Sequence, residues 1–222
     1  MTRIITVERD VLSSARASAE EFRRERTRAG TLVVNLVSSP GAGKTSLLEA
    51  TARFWSGKHR QAVLVGDLAT DRDAQRLAPY VEVVQLTTGG ACHLELPLVE
   101  RAFQCLTADD LDFLFIENVG NLVCPASHDL GEHLRVVLLS TTEGDDKPGK
   151  YPKMFRTSGA LVVSKTDLLP HVPFSLDAAT ADARLICPDL PVYPLSALEG
   201  SGLAEWCRFL EQERERRILR AM

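Results

Sequence analysis

The chain has 222 residues, 45% of them hydrophobic and 25% charged, with a formal net charge of −4. That length suits one α/β domain built on a large sheet, and the mild acidity argues against an electrostatic nucleic-acid binder, which is usually basic. Five cysteines, an odd number and dispersed along the chain, argue for reduced thiols rather than a disulfide framework.

Residues 1–30 read as a polar helical arm. Val7, Val11, Leu12, Ala15 and Ala19 form its thin apolar stripe, and Gly30 is its stop. Acidic Glu8, Asp10, Glu20, Glu21 and Glu25 argue against a transit peptide, and no apolar leader segment is evident. The longest apolar runs, such as Leu32–Val37, are far too short to span a bilayer. The expectation is a cytoplasmic protein with no membrane and no nucleic-acid partner.

From Thr31 onward, short aliphatic runs alternate with amphipathic stretches. The first run, Leu32–Val37, leads into Ser38-Ser39-Pro40-Gly41-Ala42-Gly43-Lys44-Thr45-Ser46 and then a predicted helix over Lys44–Phe54. Strand, glycine-rich turn, Gly-Lys-Thr and helix is the context that a phosphate-binding loop requires. Ser38 stands where the first glycine of that pattern usually is. Pro40, Gly41, Ala42 and Gly43 would present backbone N–H groups to phosphates, and Lys44 would reach the β and γ phosphates. The Thr45 hydroxyl would ligate Mg²⁺, beside Ser46.

The second run, Gln61–Val65, ends at Asp67, and a helix over Asp73–Leu77 follows. Asp67 is placed to hold Mg²⁺ or organise catalysis beside Lys44, and Asp73 to orient an attacking water. The bland alternative is solvated acids at helix starts. A third run, Val81–Leu86, leads to Thr87-Thr88-Gly89-Gly90 and Cys92-His93, before a helix over Leu96–Leu106. A fourth, Phe113–Ile116, ends at Glu117, a second Mg²⁺ candidate, with Cys124 seven residues on. Cys92, His93 and Cys124 suit Zn²⁺, Ni²⁺ or copper, but three ligands leave a coordination position open. A water, a partner chain or a two-fold copy would fill it. The other reading, small buried thiols with no metal, stays open on these residues alone.

The fifth run is Val136–Leu139, followed by a helix over Lys150–Phe155. Lys147 and Lys150 stand in the polar loop before it, as candidates for contacting nucleotide or a partner subunit or as solvated lysines. The sixth run, Ala160–Val163, continues into Ser164-Lys165-Thr166-Asp167, close to the Asn-Lys-x-Asp element of guanine-binding proteins with Ser in place of Asn. Asp167 would accept from guanine N1–H and N2–H, and the Lys165 stem would pack on the ring. The seventh run, Val192–Leu195, precedes Ser196-Ala197, a second guanine element, and a helix over Leu203–Leu219. Cys105 and Cys207 read as core, Cys187 as an indifferent thiol, and His59, His128, His133 and His171 carry no assigned role. Strand, helix, strand repeated predicts a doubly wound, mostly parallel sheet with helices on both faces, as one domain over 31–222. GTP fits the base-reading residues better than ATP. A P-loop small-molecule kinase with incidental thiols is the rival, and a carrier using nucleotide only to dimerise is another.

The phosphate loop with its leading Ser38 resembles that of HypB-type hydrogenase-maturation GTPases of the SIMIBI class of P-loop proteins. So do Gly66-Asp67, Cys92-His93-Leu94, Asp129-Leu130-Gly131-Glu132, and Thr142 through Pro148. The stretch Glu117-Asn118-Val119-Gly120-Asn121-Leu122-Val123-Cys124-Pro125 is the most specific and differs from urease-accessory relatives. The resemblance covers nearly all of residues 30–222. It implies a GTPase, using GTP/GDP and Mg²⁺, that forms a homodimer on GTP binding and supplies Ni²⁺ to the hydrogenase large subunit with a HypA-type partner. It also implies that Cys92, His93 and Cys124 form a Ni²⁺ or Zn²⁺ site near the dimer interface. Residues 1–30 contain neither Cys nor His, so the N-terminal nickel motif or His-rich tract of some members is not found within them, and no separate nickel-storage site is expected there.

Overall fold

The structure, a computed structural model, describes residues 7–67 and 71–220, and the side chains from residue 14 onward. Seven parallel strands form one sheet in the order β3-β2-β4-β1-β5-β6-β7. They are β1 (Leu32–Ser38), β2 (Gln61–Asp67), β3 (Glu82–Thr87), β4 (Phe113–Glu117), β5 (Leu134–Ser140), β6 (Ala160–Ser164) and β7 (Val192–Pro194). The helices are α1 (Val7–Arg28), α2 (Lys44–Phe54), α3 (Arg72–Leu77), α4 (Leu96–Phe103), α5 (Lys147–Lys150), α6 (Pro152–Arg156), α7 (Leu176–Ile186) and α8 (Leu203–Arg214). No helix among the described residues is long and apolar enough to cross a membrane.

Side chains of one strand point alternately to the two sheet faces. On β1, Leu32, Val34 and Leu36 enter the core under α2 and α8, where Trp55 and Trp206 are fully buried. Val33 and Val37 face the opposite side. There α1 and α4 cover the β2–β4 half, and α6 and α7 cover the β5–β6 half. Central strands buried on both faces read as continuous apolar runs, which is why all of them were visible in the sequence. The exceptions within β1 are Asn35 and the terminal Ser38, both fully buried, whose side chains are used below.

Several local expectations need correction. Leu96–Leu106 ends at Phe103, so Cys105 lies in a turn and is exposed, not core. Cys207 is buried, and burial pushes its thiol up to about 12. Lys150–Phe155 is two short helices, because Pro152 has no N–H to continue the first. Leu203–Leu219 is α-helical to Arg214 and closes as a π turn over Glu215–Leu219. Helix α7 carries little sequence signature, since its buried stripe is the small pair Ala179 and Ala183. Its start is set by Ser175, whose hydroxyl accepts from the Ala178 N–H at 3.2 Å.

Helix α1 packs through Ala19 and Phe22, and Phe22 meets Phe103 edge-on at 5.8 Å. Ala15 is exposed, and the side chains of Val7, Val11 and Leu12 lie outside the described residues, as do residues 1–6. His133 ties this helix to the sheet. Its Nδ1 accepts from the Val33 N–H at 3.0 Å, so the proton sits on Nε2, which faces the Thr27 hydroxyl at 3.0 Å. Burial first, then the positive charges of Arg23 and Arg217, hold His133 down to about 4 from its ordinary 6.5. The unfolded chain therefore binds the extra proton between those values. Stability from this group is complete above pH 6.5 and is lost as pH falls toward 4. The expected loss between pH 7 and 4.5 is about 2–3 kcal/mol. Urea unfolding at the two pH values checks it, and His133→Gln should flatten the dependence.

Candidate functional site

All seven strands point their carboxyl ends the same way, and β1 lies where the chain reverses its direction of winding, between β4 and β5. Ligands of open α/β sheets sit at such a crevice. The loop after β1 occupies it. Gly41 and Gly43 have φ of 73° and 93°, a region open to glycine but not to most side chains. Gly43 turns the backbone into α2, whose first N–H groups have no partner within the helix.

Lys44 is buried, with Nζ donating to Ser38 Oγ at 2.9 Å. Ser38, in the place of the usual glycine, thus anchors the lysine. Burial pushes the Lys44 ammonium down, while the field of Glu117, then Asp73, Glu143 and Asp67, pushes it back up. The Thr45 hydroxyl donates to Glu117 Oε1 at 2.8 Å, and Glu117 Oε2 is buried with no hydrogen-bond partner. Burial raises the Glu117 carboxyl to about 7, against the lowering by Lys44 and Thr45. A buried, partnerless carboxylate oxygen beside a hydroxyl fits a hard cation such as Mg²⁺. Asp67 ends β2 on the same side. Asp73 lies in the first turn of α3, with its carboxylate 4.0 Å from Arg76. The Arg76 guanidinium also donates to Ser46 Oγ at 3.2 Å and Glu49 at 3.0 Å, which brings a cation the sequence did not mark to the rim of the phosphate loop.

Several of the residues expected to read a base line one cavity of about 300 Å³, with Gly43, Ser46, Ser164, Lys165, Asp167 and Ala197 among its walls. Ser196 Oγ donates to Asp167 Oδ1 at 2.5 Å and accepts from the Glu199 N–H at 3.1 Å. Ser164 does a bridging job: its hydroxyl donates to the Ala42 carbonyl at 2.6 Å. Lys165 has a left-handed backbone, φ 59°, the only non-glycine residue with positive φ among the described residues. Such a conformation costs of order 1 kcal/mol and persists where its surroundings fix it. Here the Thr141 hydroxyl donates to the Lys165 carbonyl at 2.7 Å, and Nζ donates to the Gly41 carbonyl at 2.8 Å. Lys147 pairs with Glu143 at 3.5 Å and Lys150 with Asp146 at 2.5 Å, so both have intrachain partners.

Cys92, His93 and Cys124 come together although 32 residues of chain separate the thiols. Their ligand atoms lie within 4.8 Å of one another, and the two sulfurs are 2.9 Å apart. Asn121 holds the two loops in place, donating to the Cys92 carbonyl at 3.2 Å and accepting from the Val123 N–H at 2.8 Å. Behind them runs a buried polar chain. Asn118 Oδ1 accepts from the Leu94 N–H at 3.3 Å, and its amide donates to Asn35, whose own amide donates to Glu132. Glu132 then pairs with Arg135.

The thiol site and the phosphate loop share one segment, Glu117 to Cys124. At its middle, a Cβ on Gly120 would fall 2.8 Å from Pro40 Cα and 2.9 Å from Pro40 N. Both are backbone atoms of the phosphate loop, so a larger residue forces one element to move. Gly120→Ala is expected to cost about 1–3 kcal/mol of overpacking. It should appear as a GDP affinity lowered roughly ten-fold or more in a fluorescent-nucleotide titration.

Comparison with known proteins gives the family. Residues 32–194 match the family model "CobW/HypB/UreG, nucleotide-binding domain". The chain is 47% identical over 219 residues to the hydrogenase maturation factor HypB of Azotobacter chroococcum mcd 1, covering 98% of this chain and 72% of that protein. It is 46% identical over 210 residues to the hydrogenase/urease maturation factor HypB of Helicobacter hepaticus, covering 92% and 86%. The crystal structure of HypB from Helicobacter pylori in complex with nickel superposes with a TM-score of 0.87 at 39% identity, covering 92% of this chain and 97% of that one. The chain belongs to the HypB family of hydrogenase maturation factors, within the CobW/HypB/UreG nucleotide-binding proteins.

Proposed function

We infer that this chain is a GTP-hydrolysing nickel metallochaperone of hydrogenase maturation, whose cargo site responds to the bound nucleotide. The observation that carries the reading is the single segment Glu117–Cys124. At one end Glu117 accepts from the Thr45 hydroxyl, in the middle Gly120 lies against Pro40 of the phosphate loop, and the segment ends on Cys124, one of the three clustered candidate ligands. The family membership and the nickel complex of the Helicobacter pylori relative support it.

In this reading the backbone of Pro40–Gly43 cradles the phosphates, Lys44 contacts the β and γ groups, and Thr45 and Ser46 follow at the helix start. Thr45, Asp67 and Glu117 would hold Mg²⁺, which when bound neutralises charge on the phosphates. Asp73 orients the attacking water. Asp167 accepts from the guanine edge while Ser196 steadies its carboxylate, the Ala197 N–H meets the guanine carbonyl, and the Lys165 stem covers the ring. Adenine lacks the paired donors that Asp167 needs. Nickel is the cargo of Cys92, His93 and Cys124. Zn²⁺ accepts the same ligands. Three donors leave a position that a two-fold copy can fill, and homodimerisation on GTP binding, which the family resemblance implies, would bring that copy. Loss of the γ-phosphate relaxes the segments 67–73 and 92–124. Residues 68–70 of the first lie outside those described. A HypA-type accessory protein and, through it, the hydrogenase large subunit are the partners, in the cytoplasm. Urease is a second destination, favoured by the Helicobacter hepaticus relative's description.

The test is nickel stoichiometry and oligomer mass in GDP and in non-hydrolysable GTP with Mg²⁺. A doubled mass with altered nickel binding in the GTP state is expected. A monomer in both states with identical nickel binding sinks the switch.

A further inference from the structure

One imidazole near the thiols has no role in the reading above. His128 follows the 3₁₀ turn Cys124–Ser127, and its ring stacks on His93 with centroids 3.8 Å apart and planes 27° apart. His128 Nδ1 lies 2.9 Å from the Cys124 carbonyl. A carbonyl only accepts, so Nδ1 carries the proton. The His128 N–H donates to Pro125 O at 3.2 Å, and the His128 carbonyl accepts from Arg135 at 2.6 Å. Arg135 is in turn locked by Glu132. The ring is therefore a fixed platform.

His93 has no such support of its own. Its Nε2 is buried with no hydrogen-bond partner, and Glu95 approaches only to 3.8 Å. Its Nδ1 sits 3.6 Å from Cys92 Sγ, a contact within the cargo site itself. What defines the plane of the His93 ring is the stack. His128 thus touches two of the three cargo ligands, one through its face and the other through its Nδ1–H.

We propose that His128 is a positioning residue of the cargo site, which orients the His93 imidazole and ties it to Cys124. The inference rests on the cargo reading of Cys92, His93 and Cys124. It differs from direct ligation: the mutually close ligand set comprises those three residues and does not include His128. Groups that orient metal ligands commonly change metal affinity by about 10–100-fold.

The test uses the full chain titrated with Ni²⁺ alone, against a chromogenic chelator, with optical spectra and X-ray absorption of the loaded protein. GDP affinity serves as the folding control. His128→Ala is expected to weaken nickel by about 10–100-fold and to shift the thiolate-to-nickel charge-transfer bands. His128→Phe restores a stacking face and should recover most of that loss, with the imidazole count around nickel unchanged. An Ala variant within two-fold of the parent, with the same bands, overturns the proposal. So does a Phe variant as weak as the Ala variant. Loss of one imidazole from the nickel shell in both variants overturns it in favour of ligation by His128. Should His128→Ala lose GDP binding, the Phe variant alone decides. His93→Ala separates the two levels: if it binds nickel like the parent, the cargo reading fails, whatever His128 does.

Discussion

Lys44→Ala is expected to lower kcat for GTP hydrolysis by about 100- to 1,000-fold, the range for deleting one preorganised charge-stabilising donor. The ammonium is the buried positive charge that the phosphate loop itself supplies, and Ser38 holds it within a field of four carboxylates. Charge that spreads over the γ-phosphate oxygens in the transition state needs a fixed cation, and a water admitted by the alanine supplies none. The deletion also leaves Glu117 buried without its strongest electrostatic support, so binding of Mg²⁺ and nucleotide should weaken with it. Single-turnover hydrolysis at saturating GTP separates the chemical step from binding. Activity within a few-fold of the parent would remove Lys44 from the mechanism. The same variant discriminates the switch from a carrier that needs nucleotide only to dimerise: nickel transfer that persists in Lys44→Ala favours the carrier.

Much of this site was legible because its parts are short and local. Gly43-Lys44-Thr45 after an apolar run identifies a phosphate loop by itself, Asp67 and Glu117 announce themselves as polar residues at the ends of buried strands, and Asp167 follows β6 by three residues in a short recognisable element. What the sequence hid is non-local. Ser164 looked like a defective asparagine, yet its hydroxyl reaches the Ala42 carbonyl, a contact across 122 residues of chain. Asn35 passed as one position in an apolar strand, and only the neighbouring strands reveal the amide chain through Asn118 to Glu132. His128 and Arg76 had no spacing signal, since each acts on a residue of another loop or helix. Cys105 failed in the other direction. Its spacing placed it on the apolar face of α4, but the helix stops two residues earlier and the thiol turns outward.

Cys124→Ala is expected to weaken Ni²⁺ binding by more than about 100-fold, beyond the usual effect of losing an outer partner. The substitution is clean. Alanine keeps the backbone of the 3₁₀ turn, including the carbonyl that receives His128, and removes only the sulfur 2.9 Å from Cys92. What remains, one thiolate and one imidazole, is a poor set for a soft-ligand site. Cys92→Ala should behave alike, and the double variant should be little worse than either, because residues acting as one unit are not additive. Cys105→Ala, removing an exposed thiol from a turn after α4, is the control that should bind nickel like the parent. Equilibrium competition with a chelator gives the affinities, and a Cys124→Ala chain that still binds nickel like the parent would end the assignment. A second readout follows from linkage: if nucleotide changes nickel affinity, nickel must change nucleotide affinity by the same factor. In Cys124→Ala, GDP and GTP should bind as before but no longer respond to nickel. A response that survives there would mean that the signal enters the nucleotide site by a route other than the Glu117–Cys124 segment.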